Sequence, residues 1–225
     1  MDHLQRSSAG APWDEVFGGG VVDGAVTLLT GDPGTGKTMM LLQIAAGLAE
    51  DRRRNVLYVL RGQTPLALRA TMERCGIPQG RISVATGLDD GLVARIGTFA
   101  AVILDPAEAE EKFTEGRLPV VYAGTLAEIR NVCKETGTPL FIVRNLEKET
   151  ELRREDLHIA DVCAEILYVD DDGVGRLLRI MKNRYGAVTD LPLAMTAEGL
   201  EAAPPKRWYA QLVSWFRWAF HGRWR

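Results

Sequence analysis

An apolar run that leads directly into a glycine-rich loop constrains the fold of this chain more than any other feature. The run AVTLLT (25–30) is followed by GDPGTGKT (31–38), which matches the pattern G-x-x-x-x-G-K-T. Glycines let backbone amides approach an anion closely, and a helix that begins near Lys37 points its positive end at the same place. The stretch therefore predicts a strand, a phosphate-binding loop and a helix in succession.

The chemistry of the loop predicts ATP with Mg²⁺ as its ligand. Lys37 would neutralise β- and γ-phosphate oxygens, and the Thr38 hydroxyl would ligate the magnesium ion. The run AAVILD (100–105) ends in Asp105, whose carboxylate would reach the same ion from a neighbouring strand. The alternative is that Asp105 only begins a turn, since Pro106 follows it. The predicted cofactor-binding residues are Gly31, Asp32, Pro33, Gly34, Thr35, Gly36, Lys37, Thr38 and Met39, and the predicted metal ligands are Thr38 and Asp105.

Short apolar runs alternate with helical patterns along most of the chain. The runs are nearly continuous, as expected for strands that helices cover on both faces. After about residue 164, EILYVDDDGVGRLLRIMKNRYG predicts an antiparallel hairpin that closes the far edge of the sheet, and LPLAMT (191–196) predicts a further strand. The fold class is α/β, with a mainly parallel twisted sheet and an antiparallel C-terminal hairpin. Predicted strands cover 25–30, 55–60, 81–85, 100–105 and 139–144, and predicted helices cover 37–50, 64–75, 88–97 and 124–136, with stops at Gly76 and Gly137.

Length and composition indicate one well-buried domain. The 225 residues are 46% hydrophobic and 25% charged, and their net charge of −3 gives no global sign of a nucleic-acid partner. Three cysteines far apart exclude a disulfide framework and fit a reducing cytosol. No secretory signal and no apolar run of about 20 residues is present, so a cytoplasmic location is expected. The predicted organisation is a flexible N-terminus (1–12), an ATP-binding domain (13–201), a linker (202–205) and a tail (206–225).

The tail combines aromatic and basic residues. Four of the five tryptophans lie in KRWYAQLVSWFRWAFHGRWR (206–225), and the chain from Ala202 onward carries five basic residues and no acid. A helix over about 206–221 would gather most of the aromatic residues on one broad face, as in interfacial membrane helices. Three partners remain open for this helix: a membrane surface, a protein surface of this or a neighbouring subunit, and nucleic acid bound by stacking.

The stretch EVFGGGVVDGAVTLLTGDPGTGKTMMLLQIAAGLA resembles the ATPase core of the Sms/RadA family of bacterial recombination ATPases, within the RecA/KaiC superfamily. The similarity continues to ADVCAEILYVDDDGVGRLLRIMKNRYG, where KNRYG (182–186) looks like the family signature K-N-R-F-G. The resemblance covers about residues 13–200 and implies a RecA-like fold, ATP and Mg²⁺ as cofactors, a homo-oligomer such as a hexameric ring, and DNA as a partner. The family's zinc module and Lon-like domain have no counterpart in these 225 residues.

The segment after the second predicted strand departs from the family. Family members carry S-G-E-E-S there, with acids placed to activate water, whereas the matching segment here is LRGQT (60–64). Gln63 can hydrogen-bond a water but cannot accept its proton, and general-base assistance is worth about 10²–10⁴-fold in rate. We therefore expect ATP to be bound and its hydrolysis to be weak or absent, with Gln63 as the candidate that orients water.

Two basic residues of KNRYG are the other catalytic candidates. Neighbouring subunits of RecA-type proteins supply basic side chains across a shared nucleotide site, so the resemblance implies that Lys182 and Arg184 act in trans. The alternative is a solvated strand end with one surface ion pair. In the loop 145–156, where family members present DNA-contacting segments, acids outnumber bases, which disfavours contact with a phosphate backbone.

Two hypotheses for function follow. In the first, the chain is a RadA-like ATP-binding protein, a reduced relative of DNA recombination and repair ATPases, with weakened or lost hydrolysis. In the second, it is a nucleotide-gated regulatory or assembly module that its C-terminal helix attaches to the inner face of a membrane. Turnover of ATP at ordinary rates, stimulated by DNA, would exclude the second hypothesis.

Overall fold

Strands and helices alternate along the chain much as the apolar runs predict. The computed structural model describes residues 4–60, 63–105, 126–145, 158–168 and 175–203. The strands are β1 (Arg6–Ser7), β2 (Val21–Val22), β3 (Val26–Gly31), β4 (Val56–Leu60), β5 (Ile82–Ala85), β6 (Val102–Asp105), β7 (Leu140–Asn145), β8 (Val162–Tyr168), β9 (Gly175–Asn183), β10 (Leu191–Thr196) and β11 (Gly199–Ala202). The helices are α1 (Trp13–Val16), α2 (Lys37–Arg52), α3 (Pro65–Arg74), α4 (Asp90–Ala94) and α5 (Leu126–Thr136), with short 3₁₀ turns at Gln79–Arg81 and Ile96–Thr98.

Within the described residues, β3 to β11 form one sheet in the order β11-β10-β9-β8-β3-β7-β6-β4-β5. The strands from β8 to β5 in this order run parallel, and β9, β10 and β11 extend the sheet in antiparallel fashion beyond β8. β3 is paired along its length with β7 on one side and β8 on the other. The residues that follow β3 therefore emerge at the middle of one sheet edge. This architecture confirms the predicted α/β fold class.

Alternate residues of the central strands contribute to two cores, one on each face of the sheet. In β3, Leu29 packs in the core that contains the apolar residues of α2, whereas Leu28 packs in the core that contains Ile129 and Cys133 of α5. Strand residues that are buried on both faces need no polar alternation. The continuous apolar runs of the sequence reflect this double burial.

Glycines end two helices as predicted. Gly76 follows α3 with a φ of +64°, and the Ile77 amide donates to the Met72 carbonyl. Gly137 follows α5 with a φ of +68°, and the Thr138 amide donates to the Cys133 carbonyl. Both are left-handed C-terminal caps, which glycine adopts without steric cost.

The prediction of a single helix over 88–97 is wrong. The structure divides this range into α4 and the 3₁₀ turn Ile96–Thr98. The Asp89 side chain accepts a hydrogen bond from the Leu92 amide at 2.8 Å and so caps α4 two residues later than expected. The Thr98 hydroxyl donates to the Arg95 carbonyl at 2.8 Å, in the tighter turn that follows α4.

The N-terminal segment contacts the rest of the domain within residues 4–12, which the sequence did not indicate; the flexibility expected for 1–12 stays a prediction. Arg6–Ser7 pairs with Val21–Val22 as a small antiparallel sheet. The Arg6 guanidinium donates to the carbonyls of Phe17, Gly20 and Tyr185. The polar sequence gave no sign of this docking because the contacts are made by backbone groups distant in the chain.

The C-terminal part of the sheet is larger than predicted. The antiparallel pair β8 and β9 is present, but it does not close the far edge, because β10 and β11 lie beyond it. β11 was not predicted; its sequence GLEA has little strand propensity. Its Leu200 backbone is held by the Gln43 side chain of α2, which donates to the carbonyl at 3.1 Å and accepts from the amide at 3.3 Å. The Ala203 amide still donates to Pro192, so the predicted linker of 202–205 begins too early.

All three cysteines are free, as the sequence predicts. Cys133 and Cys163 are buried and Cys75 is half-buried. Burial raises the pKa of the Cys133 thiol to about 12, so this side chain behaves as a small apolar residue at neutral pH. Among the described residues, no helix combines the length and apolar character needed to cross a membrane. The tail over 206–225 lies outside the described residues, and its helix stays a prediction.

We predict that Gly47→Ala lowers the free energy of unfolding. In an open helix, alanine stabilises by about 1 kcal/mol relative to glycine. In α2, however, a Cβ at Gly47 would overlap the backbone carbonyl of Ala9. Overpacking of this kind costs about 1–3 kcal/mol, so the N-terminal segment should detach or the whole domain should lose stability. Denaturant unfolding and limited proteolysis within residues 4–12 measure the two effects.

Gly80→Ala is the matched control for this substitution. A Cβ at Gly80 meets no atom within 4 Å. The control should leave stability unchanged or raise it slightly. Equal stability of the two variants would contradict the packing of Ala9 on α2.

Candidate nucleotide-binding site

The predicted phosphate loop joins the end of β3 to the start of α2. Gly31 ends β3 with a φ of +144°, and a Cβ there would overlap the Ile166 carbonyl of β8. Gly36 precedes α2 with a φ of +107°, and a Cβ there would lie 2.9 Å from Met195 Cε. Backbone packing excludes a side chain at Gly31, whereas at Gly36 the Met195 side chain could shift and the positive φ is what favours glycine. The N-terminus of the 16-residue α2 faces the loop.

Lys37 places its ammonium group inside this loop. The residue is only 6% exposed, and its Nζ donates to the carbonyls of Gly31 at 2.6 Å and Asp32 at 2.8 Å. A buried ammonium needs such acceptors, and they hold the positive charge beside the amides at the start of α2. The arrangement concentrates positive potential where a phosphate would bind.

Asp105 meets the first turn of α2 at the same edge of the sheet. The Thr38 hydroxyl donates to Asp105 Oδ2 at 2.7 Å, and the Tyr58 hydroxyl of β4 donates to the same oxygen. Burial and then the Asp105 charge raise the pKa of Tyr58 well above its usual value, so the phenol stays a donor. The structure thus brings together Thr38 and Asp105, the two residues predicted to ligate a metal.

The side chains at this edge fit Mg²⁺ bound with a nucleotide phosphate. One hydroxyl and one carboxylate supply hard oxygen donors, and Mg²⁺ typically takes few protein ligands together with phosphate oxygens and water. No group of three His, Cys, Asp or Glu residues in the described ranges is placed to hold a metal without such a partner. The loop backbone offers the anion site, and Thr38 with Asp105 offers the cation site beside it.

Gln63 lies on the loop that follows β4, next to this edge. Leu60, the last residue of β4, pairs with Asp105 of β6. Gln63 is exposed and precedes Thr64, whose hydroxyl caps α3 by accepting from the Ala67 amide at 3.2 Å. Arg61 and Gly62 lie outside the described residues. Gln63 therefore follows β4 at the same edge of the sheet as Asp105, and its role in orienting water stays a prediction.

Lys182 and Arg184 lie at the opposite end of the sheet from the loop. Lys182 Nζ donates to the Ala160 carbonyl at 2.5 Å, and Arg184 pairs with the buried carboxylate of Asp161 at 3.0 Å. Asp161 in turn accepts from the amide of Val26, the first residue of β3. The five residues from there to Gly31 span about 16 Å at the rise of a strand. Neither side chain reaches the loop of its own chain, so their predicted catalytic role requires a second subunit.

Sequence reasoning missed two residues that contact the loop. Arg176 at the start of β9 donates from Nε to the Thr35 carbonyl at 3.0 Å, and its guanidinium carbon lies 4.3 Å from the ring centroid of Tyr168. A Cβ on Gly34 would lie 2.9 Å from the Tyr168 hydroxyl. The alternation of residues in β9 could have indicated a buried role for Arg176, because this charged residue lies on the same face of the strand as the core residues Leu178 and Ile180.

An acid near the loop was also missed. Glu165 of β8 pairs with Arg179 of β9 at 3.0 Å. Burial raises the pKa of Glu165, Arg179 lowers it, and the charge of Asp32 raises it further. The ion pair keeps this carboxylate engaged on the face of β8 opposite to Tyr168, so we do not assign it the task of activating water.

Comparisons with known proteins show which proteins this chain is similar to. Residues 10–115 match the family model described as the KaiC ATPase. The DNA repair protein RadA of Pseudomonas aeruginosa is 34% identical over 217 residues, which cover 89% of this chain and 46% of the relative. RadA of Escherichia coli is 30% identical over 211 residues, which cover 89% of this chain and 45% of the relative. This chain thus spans slightly less than half the length of these relatives.

A solved structure shows the same fold. The crystal structure of a KaiC-like protein from Pyrococcus horikoshii superposes with a TM-score of 0.68 and 20% identity, covering 90% of this chain and all of the archaeal one. The chain therefore matches the ATPase core of the RadA family over most of its own length and has the fold of a KaiC-like protein.

Proposed function

We propose that the protein binds ATP with Mg²⁺ as a RadA-like module and hydrolyses it weakly or not at all. The observation that carries this proposal is the hydrogen bond of 2.7 Å between Thr38 and Asp105, adjacent to the buried ammonium of Lys37. These residues would hold the phosphates and the metal, and the bound Mg²⁺ would neutralise phosphate charge. The residues that would bind the phosphates and the metal therefore lie together at one edge of the sheet.

Weak hydrolysis follows from the loop beside the same site. Phosphoryl transfer needs a group that orients the attacking water, in addition to positioning and neutralisation of charge. Leu60, which pairs with Asp105, is followed in the sequence by RGQ (61–63) instead of the family's acids. Gln63 would orient water without accepting its proton, so the chemical step would lack general-base assistance.

We further propose that the chain acts as a homo-oligomer in the cytoplasm and is a reduced relative of DNA repair ATPases. The positions of Lys182 and Arg184, far from their own loop, support action across a subunit interface. The relatives named as DNA repair proteins favour DNA as a partner. The acid-rich loop over 145–156 disfavours it, so DNA contact would depend on surfaces other than this loop.

The C-terminal sequence favours a second candidate function, a nucleotide-gated module on a membrane surface. The aromatic and basic residues of 206–225 provide the specific observation. In this alternative, ATP controls assembly and the tail supplies attachment. Docking of the tail on protein and stacking on nucleic acid are the competing explanations.

We predict that Lys37→Ala abolishes most of the affinity for ATP–Mg²⁺. Hydrogen bonds to charged groups contribute about 1.5–3 kcal/mol each, so the affinity should fall about tenfold or more. Titration calorimetry measures the change, and thermal unfolding confirms that the variant is folded. Lys134→Ala, at the amino end of the sheet near Asp161, is the matched control and should bind normally. Equal affinity in the Lys37 variant and the parent would show that this loop is not the site.

The double substitution Gly62→Glu with Gln63→Glu should accelerate hydrolysis. It restores the two acids that the family carries after this strand, and a general base contributes about 10²–10⁴-fold. Phosphate release is measured with and without single-stranded DNA, with Gln79→Glu combined with Gly80→Glu as a control that adds the same two charges at an exposed site elsewhere. Rapid turnover by the unmodified protein would mean that another residue activates water.

Deletion of residues 206–225 tests the tail. If it binds membranes, the full chain should float with anionic liposomes and the truncated chain should not, while ATP affinity stays unchanged. The basic contribution should weaken with salt, because the screening length is about 8 Å at physiological strength, whereas the aromatic contribution should persist. A full chain that never floats, combined with loss of an oligomer on truncation, would identify a subunit-docking helix and exclude the membrane hypothesis.

A further inference from the structure

A buried arginine supports the phosphate loop from behind. Arg176 is 4% exposed, although it lies at the end of an antiparallel strand outside the parallel part of the sheet. Its Nε donates to the Thr35 carbonyl at 3.0 Å, and its Nη1 donates to the Gly175 carbonyl at 3.2 Å. Burial of a guanidinium is costly unless hydrogen bonds satisfy it. Here it contacts the backbone of the loop at Thr35, a fully buried residue whose hydroxyl donates to the Asp32 carbonyl.

The hydrogen bond to Thr35 has a geometric consequence for the next residue. A trans peptide is planar, so its carbonyl and the following amide point in opposite directions. Arg176 holds the Thr35 carbonyl on the side of the loop that faces β9. The Gly36 amide of the same peptide is therefore directed away from Arg176.

Other contacts restrain Thr35 but not Gly36, the two residues that this peptide joins. The Thr35 hydroxyl and amide both donate to the Asp32 carbonyl, at 2.9 Å and 3.3 Å. Gly36 itself has no side chain to limit rotation, and its φ of +107° lies in a region that glycine leaves easily. A charged donor is a stronger restraint on the Thr35 carbonyl than a neutral one, because charge-assisted hydrogen bonds are shorter and about twice as strong.

Tyr168 holds the guanidinium in place. It is the residue paired with Arg176 across β8 and β9, and its ring lies 4.3 Å from the guanidinium carbon. Cation–π contact orients the planar group in addition to attracting it. The ring is 44% exposed, so its substitution removes this contact without opening a cavity in the core.

We propose that Arg176, oriented by Tyr168, is a positioning residue that fixes the Gly36 amide for contact with nucleotide phosphate. The assignment rests on the proposed binding of ATP. In this proposal the antiparallel part of the sheet contributes to the site, because β9 supplies the side chain that donates to the Thr35 carbonyl. A lysine in place of Arg176 keeps the charge but loses the planar fork and the ring contact.

Three variants test this proposal: Arg176→Gln, Arg176→Lys and Tyr168→Leu. Leu178→Ala is the matched control, since Leu178 is fully buried on the same face of β9 and lies away from the loop. Two readouts are measured, the affinity for ATP by calorimetry and the Gly36 amide chemical shift by NMR without nucleotide. Arg176→Gln should lower the affinity about tenfold, and Tyr168→Leu should lower it a few-fold. Arg176→Lys should fall between the parent and Arg176→Gln.

The chemical shift separates positioning from stability. Arg176→Gln and Tyr168→Leu should both move the Gly36 amide signal, whereas Leu178→Ala should lower the unfolding temperature and leave that signal in place. If Arg176→Gln does not fold, Tyr168→Leu and Arg176→Lys carry the same comparison. Parent-like affinity and an unmoved Gly36 signal in the folded variants would overturn the proposal, as would an affinity loss in Leu178→Ala equal to theirs.

Failure of the proposed function gives a different result. A parent protein that binds no ATP would refute the proposed function through the calorimetry alone. A Gly36 signal that moves with Arg176 and Tyr168 in that case would still support the control of the amide by these two residues. An unmoved signal would refute it.

Discussion

The pairing of β3 on both of its sides is the interaction on which the rest of the structure depends. β7 and β8 hold it in register as far as Gly31, so the chain leaves the sheet at one defined point. There the Ile166 carbonyl of β8 leaves no room for a side chain at Gly31. A phosphate loop needs its amides fixed before the anion arrives, and a strand bound on one side only would leave its end free to fray.

The two ends of the sheet carry different electrostatic arrangements. At the carboxyl end, Lys37 donates to backbone carbonyls and Asp105 accepts from two hydroxyls, so both charged groups have neutral hydrogen-bond partners. At the amino end, the buried carboxylate of Asp161 pairs with Arg184. At the carboxyl end, ligand atoms could replace the hydrogen-bond partners of Lys37 and Asp105. At the amino end, removal of Arg184 would take away a charged partner of the buried Asp161 carboxylate. Within each chain, the carboxyl end of the sheet is therefore suited to binding a ligand, and the amino end is suited to stabilising the fold.

Much of the parallel sheet and of the site could be predicted from the sequence because these features are local. The motif GDPGTGKT specifies strand, loop and helix through residues adjacent in the chain, and AAVILD shows a carboxylate at a strand end by the same local logic. The prediction failed where contacts are distant in sequence. The N-terminal segment is fixed by Arg6 through carbonyls as far away as Tyr185, and β11 by the Gln43 side chain. Every residue has a backbone carbonyl, so composition and periodicity do not indicate which carbonyls accept such hydrogen bonds.

By itself, the sequence determined the fold class and the phosphate-loop motif and marked Thr38 and Asp105 as the candidate magnesium ligands, since hydrophobic periodicity and a contiguous motif encode them. It also determined which acids are absent after β4. The tertiary structure alone decided that Thr38 and Asp105 meet, that Lys182 and Arg184 lie beyond reach of their own loop, and that Arg176 and Tyr168 support it. These facts depend on the order and register of strands, because pairing across a sheet joins residues that the chain keeps 67 positions apart, as for Thr38 and Asp105, or 141 positions apart, as for Thr35 and Arg176.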